Sequence, residues 1–385
     1  MHRKLIILTG VWSCAAFIAL CAVPTMAQTL SSKTEEAIDL AMRSSVESGW
    51  TAGGAVAVMR QGVVVFARGY GMANLETGTP ATPDSVFRVG SLTKQFTAVS
   101  LLLLEQDGKL SLDDRAGLYL PQISADDPTT IRQLLNHTAG FRDYVGGQDF
   151  DRIKWLPLTT EQLVDHVLAL NPTHQFPAGT GWAYSSSNYA LAGAIVENVS
   201  GKPLREFMAE RIFVPLGMTH TALDDNGALA PGRASGYDRL VADQPGYRNA
   251  LTVSMTTPFA AGALRSTVGD LLIWSNALTH NGVLSAEKYR EMLTTARLND
   301  NTKATYKDKD GQTHPIEYAL GIGVTGDPKK PELTHDGAID GFTSMLTIFT
   351  GPDIAVAIVV NTSPSEHLPF DGVMTAIRAD PALQN

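Results

Sequence analysis

The chain alternates between unbroken apolar runs and amphipathic stretches, and each kind predicts its own element. The first apolar run, Leu5 to Val23, follows Arg3 and Lys4 and ends at Pro24-Thr25-Met26-Ala27-Gln28. A positive start, an apolar middle and small residues before Gln28 describe an export leader covering residues 1–27. A short helix is expected from about Lys33 to Ser48. Gly54 to Met59 and Val63 to Ala67 read as a strand pair joined by Arg60-Gln61-Gly62. Val86 to Gly90 reads as a strand feeding a helix that opens at Ser91. Phe96, Val99 and Leu101 to Leu104 predict that this helix is largely buried. Thr160 is expected to cap a helix with Leu163, Val164, Val167 and Leu168 on one face, ended by Asn171-Pro172. The next helix runs from Tyr189 to Val199 before Gly201. Pro203 then starts another, with Leu204, Phe207 and Met208 turned inward.

A strand period returns toward the C-terminal end. Tyr318, Leu320, Ile322 and Val324 alternate with small residues, as a strand packed on one face does. Thr343 to Phe349 and Ile354 to Val360 flank Thr350-Gly351-Pro352-Asp353, a hairpin signal. Asn299 to His314 reads as a solvated hairpin or loop, and Asp224 to Pro258 carries no readable pattern. The expected fold is α/β: an antiparallel sheet built from both chain ends and flanked by helices, plus a mainly helical lobe. The sheet lobe would take residues 28–90 and 262–385, the helical lobe 91–261. A binding cleft is expected between them.

Composition narrows the function. Of 385 residues, 30 are Lys or Arg and 39 Asp or Glu, a net charge of −9 that becomes −11 once Arg3 and Lys4 leave with the leader. Such a balance argues against nucleic acid and anionic membrane partners and for a soluble exported protein, periplasmic or secreted. Leader cleavage is favoured over a retained anchor by Pro24 and the small-residue site, and Leu20 before Cys21 is bulky for lipoprotein processing. Both cysteines, Cys14 and Cys21, fall in the leader, so the mature chain has no disulfide framework and no cysteine metal site. Oligomeric state is not legible.

Candidate chemistry begins at Ser91-Leu92-Thr93-Lys94. Residues three apart share a helix face, so the Lys94 amine can reach the Ser91 hydroxyl. Among apolar neighbours a lysine loses solvation and becomes useful as a proton acceptor for a serine nucleophile. The same spacing occurs at Ser285-Ala286-Glu287-Lys288, where Ser285 reads as a cap of an exposed helix. A second cluster, Tyr184-Ser185-Ser186, lies on a loop before a helix. Tyr184 can serve as a base only if a cation such as Lys94 is near. A third cluster is His335-Asp336-Gly337. Gly337 permits close backbone approach, so the amide of Ala338 can join that of Ser91 in an oxyanion hole. A tyrosine among small residues also fits core packing, and a strand histidine a satisfied structural group. No Gly-x-Ser-x-Gly elbow and no His-Glu-x-x-His zinc motif is present.

These clusters, in this order, resemble the serine β-lactamase and penicillin-recognising hydrolase superfamily. The branch is the one with class C β-lactamases, D-Ala-D-Ala carboxypeptidases, D-aminopeptidases and β-lactamase-like carboxylesterases. Val86 to Gln95 is similar to its nucleophile segment. Gly108 to Asp114, Leu134 to Gly140, Val214 to Met218, Ala261 to Thr267 and Gly337 to Phe342 are similar to its other landmarks. The resemblance covers about Gly54 to Asn361. It implies a β-lactamase/transpeptidase-like fold and acyl transfer, with catalytic Ser91, Lys94 and Tyr184 and an oxyanion hole from Ser91 and Ala338. Ser186, His335 and Gly337 would contact substrate, and no metal or organic cofactor is needed. His137 would pack or bridge a turn.

Two departures bear on substrate. Ser186 stands where the motif commonly has asparagine, and Asn188 two residues on could take that place. His335 stands where β-lactamases usually carry lysine, so a fixed cation becomes a group mostly neutral near pH 7. Both changes turn the expectation toward a small-molecule ester or small amide. The alternatives are a D-amino-acid peptidase trimming peptides, a β-lactamase, and a binding or sensor protein that is acylated without turnover.

Overall fold

The computed structural model describes residues 29–381 except 147, 242–243, 308–309 and 364–366. The expected leader, with Cys14 and Cys21, lies outside the described residues. Helix α1 (Ser32–Glu47) opens the described chain, capped by the Ser31 hydroxyl on the Thr34 amide. Strands β1 (Gly53–Arg60) and β2 (Val63–Asn74) form the expected hairpin, and β3 (Thr79–Pro80) lies on its outer edge. Strand β4 (Phe87–Gly90) leads into α2 (Thr93–Gln106), which begins two residues later than the sequence predicts.

The middle of the chain carries α3 (Ile131–Leu135), α4 (Gln148–Ile153), α5 (Thr160–Leu168), α6 (Ser186–Ser200), α7 (Leu204–Met208) and α8 (Val214–Leu216). Thr159 rather than Thr160 caps α5. Its hydroxyl takes the Gln162 amide while the Gln162 side chain returns to the Thr159 amide, a reciprocal pair worth about 1 kcal/mol. Helix α6 starts three residues before the expected Tyr189, so Tyr184 directly precedes its cap, Ser185. Strand β5 (Ala222–Leu223) follows. The segment without a readable pattern holds a hairpin, β6 (Tyr237–Val241) and β7 (Gln244–Asn249), then α9 (Phe259–Gly262). Strand β8 (Leu264–Ser266) joins β4 and β5 in a small sheet. Helices α10 (Val268–Thr279) and α11 (Ala286–Met292) come next. The hairpin β9 (Thr305–Lys307) and β10 (Thr313–Pro315) fulfils the expectation for Asn299 to His314.

Strands β11 (Gly323–Thr325), β12 (Glu332–Ile339), β13 (Phe342–Phe349) and β14 (Ile354–Val360) complete the main sheet; β15 (Thr362–Ser363) pairs with β6, and α12 (Phe370–Arg378) ends the fold. The seven-stranded order β11-β12-β13-β14-β1-β2-β3 is antiparallel at every pair, with β14 from one end of the chain beside β1 from the other. The strand expected over Tyr318 to Val324 is largely replaced by a turn. Gly321 has φ 77°, and a Cβ there would lie 2.8 Å from the Lys94 carbonyl oxygen. Leu320 and Ile322 are buried because this turn packs on α2.

Strands β1 and β14 read as continuous apolar runs because both faces of the sheet are covered. Val56, Val58, Val356 and Ile358 pack with α1 and α12 on one face. Ala55, Ala57, Ala355 and Ala357 face the larger core containing α2, α6 and α10. Trp274 of α10 stacks on Phe96 of α2 and donates to the Gln95 side chain at 2.8 Å. That contact locks the nucleophile-bearing helix to the sheet.

Candidate active site

Ser91 sits in the tight turn between β4 and α2, and two glycines explain its placement. Gly90 has φ 51°, a conformation that L side chains resist, and a Cβ on it would fall 2.8 Å from the amide nitrogen of Ala338. Gly337 faces the other way: a Cβ there would fall 2.0 Å from the Val89 carbonyl oxygen. Bare backbone at both positions lets β4 and β12 touch, which brings the Ser91 turn against Ala338. Strand β11 pairs with β12 only at Glu332 to Thr334, so β11 leaves the edge beside Ala338 uncovered.

Lys94 is wholly buried (0% exposed). Its Nζ donates to Ser91 Oγ at 3.1 Å and to the Ala261 carbonyl at 2.9 Å, and lies 4.7 Å from the centre of the Tyr184 ring. Thr93 and Thr97 tie the same helix to Gly90 and Ala260 through their hydroxyls. Tyr184 keeps 37% of its surface exposed at the mouth. Two residues further, the Ser186 amide donates to Asp143 Oδ1 at 3.1 Å, and Ser187 Oγ donates to the Arg142 carbonyl. These bonds pin the start of α6 to the segment 142–144.

His137 performs the turn-bridging expected of it, and more. It is buried with φ 65°, and its ring centre lies 4.4 Å from that of Tyr184. Its Nδ1 accepts from the Ser185 amide at 3.2 Å and lies 3.3 Å from the Asn188 side-chain amide. Accepting at Nδ1 places the proton on Nε2. Burial, reinforced by the Lys94 charge, holds this imidazole far below its usual pKa, hence neutral. Asn188 is itself buried and turned toward His137, so it does not reach the position Ser186 occupies at the cavity.

His335 lies deeper than an open contact residue. Its Nδ1 is 2.6 Å from the Asp336 carbonyl, which can only accept, so the proton is on Nδ1. Nε2 then accepts from the Tyr318 hydroxyl at 3.0 Å. Burial, then the Lys94 charge, lower its pKa to about 4.

A cavity of about 260 Å³ brings together Ser91, Tyr184, Ser186 and Ala338. Lys94 reaches it through Ser91 Oγ, while His335 and Gly337 are not among its lining residues. Two carboxylates missed by sequence reasoning also line it, Asp143 and Asp340. Burial pushes the Asp143 carboxyl up, against hydrogen bonds from backbone amides. Burial, with Asp238 adding to it, pushes that of Asp340 up as well. Asp143 follows the segment ending at Gly140 by three residues, yet nothing in its spacing marks it. Among the described residues no group of three or more His, Cys, Asp or Glu side chains is arranged to hold a metal ion.

Comparison with known proteins gives this arrangement a context. The family model described as Beta-lactamase matches residues 38–375. Penicillin-binding protein 4* of Bacillus subtilis is 28% identical over 304 residues, 76% of this chain and 64% of its own length. The D-aminopeptidase of Gluconobacter oxydans is 28% identical over 309 residues, 80% of this chain and 55% of its own. This chain therefore spans less than two thirds of the length of either relative. The D-amino acid amidase structure from Ochrobactrum anthropi superposes with a TM-score of 0.73 at 27% identity, covering 90% of this chain and 99% of the amidase.

Proposed function

The chain belongs to the Beta-lactamase family, and from that premise we propose that it is a serine hydrolase working through an acyl-enzyme on Ser91. The observation that carries this reading is the buried Lys94 Nζ 3.1 Å from the Ser91 hydroxyl at the floor of an open cavity. In the first half-reaction Ser91 Oγ adds to the substrate carbonyl while its proton passes to the Lys94–Tyr184 pair. The carbonyl electron pair moves onto oxygen, held by the amides of Ser91 and Ala338. Collapse expels the alkoxide or amine, which takes the proton through Tyr184. Water, losing a proton to the same Lys94–Tyr184 pair, then adds to the acyl group and expels Ser91 Oγ, which takes that proton back as its hydroxyl.

The substrates we propose are carboxylic esters and small amides that carry no anion beside the scissile bond. Asp143 and Asp340 line the cavity and His335 is neutral, so an anion beside the scissile bond, as in a β-lactam, meets two carboxylates and, among the described residues that line the cavity, no arginine or lysine. The same two carboxylates favour a second reading. A free amine next to a scissile amide would complement them, and relatives bear the names D-aminopeptidase and D-amino acid amidase. Export through residues 1–27 belongs to the proposal. Exported protein starting at Gln28 supports it, and retention of Met1 counts against it.

The test is hydrolysis of a short-chain p-nitrophenyl ester, a D-alanine p-nitroanilide and a chromogenic cephalosporin by wild type and Ser91→Ala. Ester turnover well above cephalosporin turnover, abolished in the variant, is expected. Dominant anilide cleavage selects the second reading. Efficient cephalosporin cleavage overturns the substrate ranking, and an acyl-enzyme that persists for hours replaces turnover with a binding role.

A further inference from the structure

A second cavity of about 260 Å³ adjoins the first, the two sharing Asp340 in their linings. Its chemistry is opposite. Arg88 on β4 and Arg265 on β8 stand directly across from each other in the antiparallel register, and Arg233 joins them. Like charges in facing positions are destabilising unless an anion lies between. Asp224 supplies one, with its side chain fully buried. Its Oδ1 receives Arg265 Nη1 at 2.8 Å and Arg233 Nη2 at 2.9 Å; its Oδ2 receives Arg88 Nε at 2.9 Å and Arg233 Nη1 at 3.0 Å. Burial pushes the Asp224 carboxyl up, but these arginine contacts outweigh it and hold it below the ordinary range.

Three hydrogen bonds and one further ion-pair contact therefore engage both oxygens of this carboxylate. Both terminal nitrogens of Arg88, and Nε and Nη2 of Arg265, are left without a hydrogen-bond partner among the described residues. These side chains are only 15% and 17% exposed, so an anion reaching them is incompletely screened. Counting Asp340, the lining holds three guanidiniums and two carboxylates, a surplus of one positive charge. Arg88 precedes Ser91 by three residues, a chain distance of no more than about 10 Å. We infer that this cavity is a subsite for a carboxylate carried on the part of the substrate remote from the scissile bond. Planar guanidiniums with paired free N–H groups suit a carboxylate fork. The inference rests on the hydrolase reading only for the location of the scissile bond. A free dicarboxylic acid has the same chemistry and is the other possible source.

The experiment compares the p-nitrophenyl monoester of glutaric acid, which ends in a carboxylate, with p-nitrophenyl pentanoate. The quantity read is the ratio of their kcat/KM values, which cancels general damage to the reaction centre. Arg265→Gln is expected to lower the ratio about tenfold, and Asp340→Asn to raise it. Should Arg265→Gln fail to fold, Arg265→Lys, which keeps charge but loses the fork, lowers the ratio part of the way. In wild type, added NaCl lowers it too. Free glutarate is expected to raise the wild-type melting temperature, a readout needing no hydrolysis. Thermal stabilisation with an unmoved ratio assigns the cavity to a free acid; a lowered ratio assigns it to the substrate. No stabilisation by glutarate and a ratio unaffected by substitution and salt overturn the inference, whereas loss of all ester hydrolysis in Ser91→Ala speaks only to the nucleophile.

Discussion

Replacing His335 by glutamine should remove a specific acid sensitivity from the fold. The imidazole is 7% exposed, and its neutral form is matched at both nitrogens, Nδ1–H to the Asp336 carbonyl and Nε2 from the Tyr318 hydroxyl. In the unfolded chain a histidine titrates near 6.5, whereas here burial and Lys94 lower the value to about 4. Between those two values the unfolded chain binds more protons than the folded one, so stability falls as pH drops through that window. At about pH 4.5 the two titrations differ by nearly two units, a loss of about 2.5 kcal/mol that is absent at about pH 7.5. The assay is urea unfolding of wild type and His335→Gln at both pH values. His137 and the carboxylates titrate in both proteins, so the difference between their pH responses isolates His335. Glutamine should cost stability near neutrality, through the lost Tyr318 partner, yet flatten the response to acid by about 2.5 kcal/mol. An unchanged response in the variant refutes the claim that His335 is held neutral by burial.

Gly90→Ala should lower both melting temperature and kcat/KM, the latter about 100-fold, because φ 51° and the 2.8 Å approach to Ala338 leave no room for a methyl group; a melt and ester kinetics check it. Ser285→Ala should cost about 1 kcal/mol in urea unfolding, through loss of the cap on the Lys288 amide, with kcat unchanged. Asp143→Asn should reduce kcat/KM for a D-amino acid anilide more than for a neutral ester; equal losses would make Asp143 a purely structural partner of the Ser186 amide.

Legibility in the sequence followed how local the cause was. Strands β1 and β14 were readable because burial on both faces leaves an apolar run, and α5 because its apolar face repeats with the helical period. Its cap was misplaced by one residue because Thr159 and Thr160 are equally good capping residues, and only the bond to Gln162 separates them. The alternation from Tyr318 to Val324 misled because Leu320 and Ile322 are buried against α2 around a glycine turn, a tertiary cause that imitates strand period. The hairpin β6–β7 was hidden by Asp238, Arg239 and Arg248, which suit a half-exposed ribbon whose partner, β15, lies more than a hundred residues away. At the site, spacing suggested the Ser91–Lys94 pair but equally offered Ser285 and Lys288, and it was the family resemblance that singled out Ser91, Lys94, Tyr184 and His335 together. Asp143 and the Arg88–Asp224–Arg265 cluster were not legible, since their meaning arises only when β4, β8 and the segment 142–144 meet.

The most direct measurement is mass spectrometry of protein quenched in acid during turnover of a p-nitrophenyl ester. An acyl adduct on the peptide carrying Ser91, absent in Ser91→Ala and persisting longer in Tyr184→Phe, is the predicted result. Full turnover with no adduct at Ser91, or activity surviving in Ser91→Ala, would contradict the account at its centre.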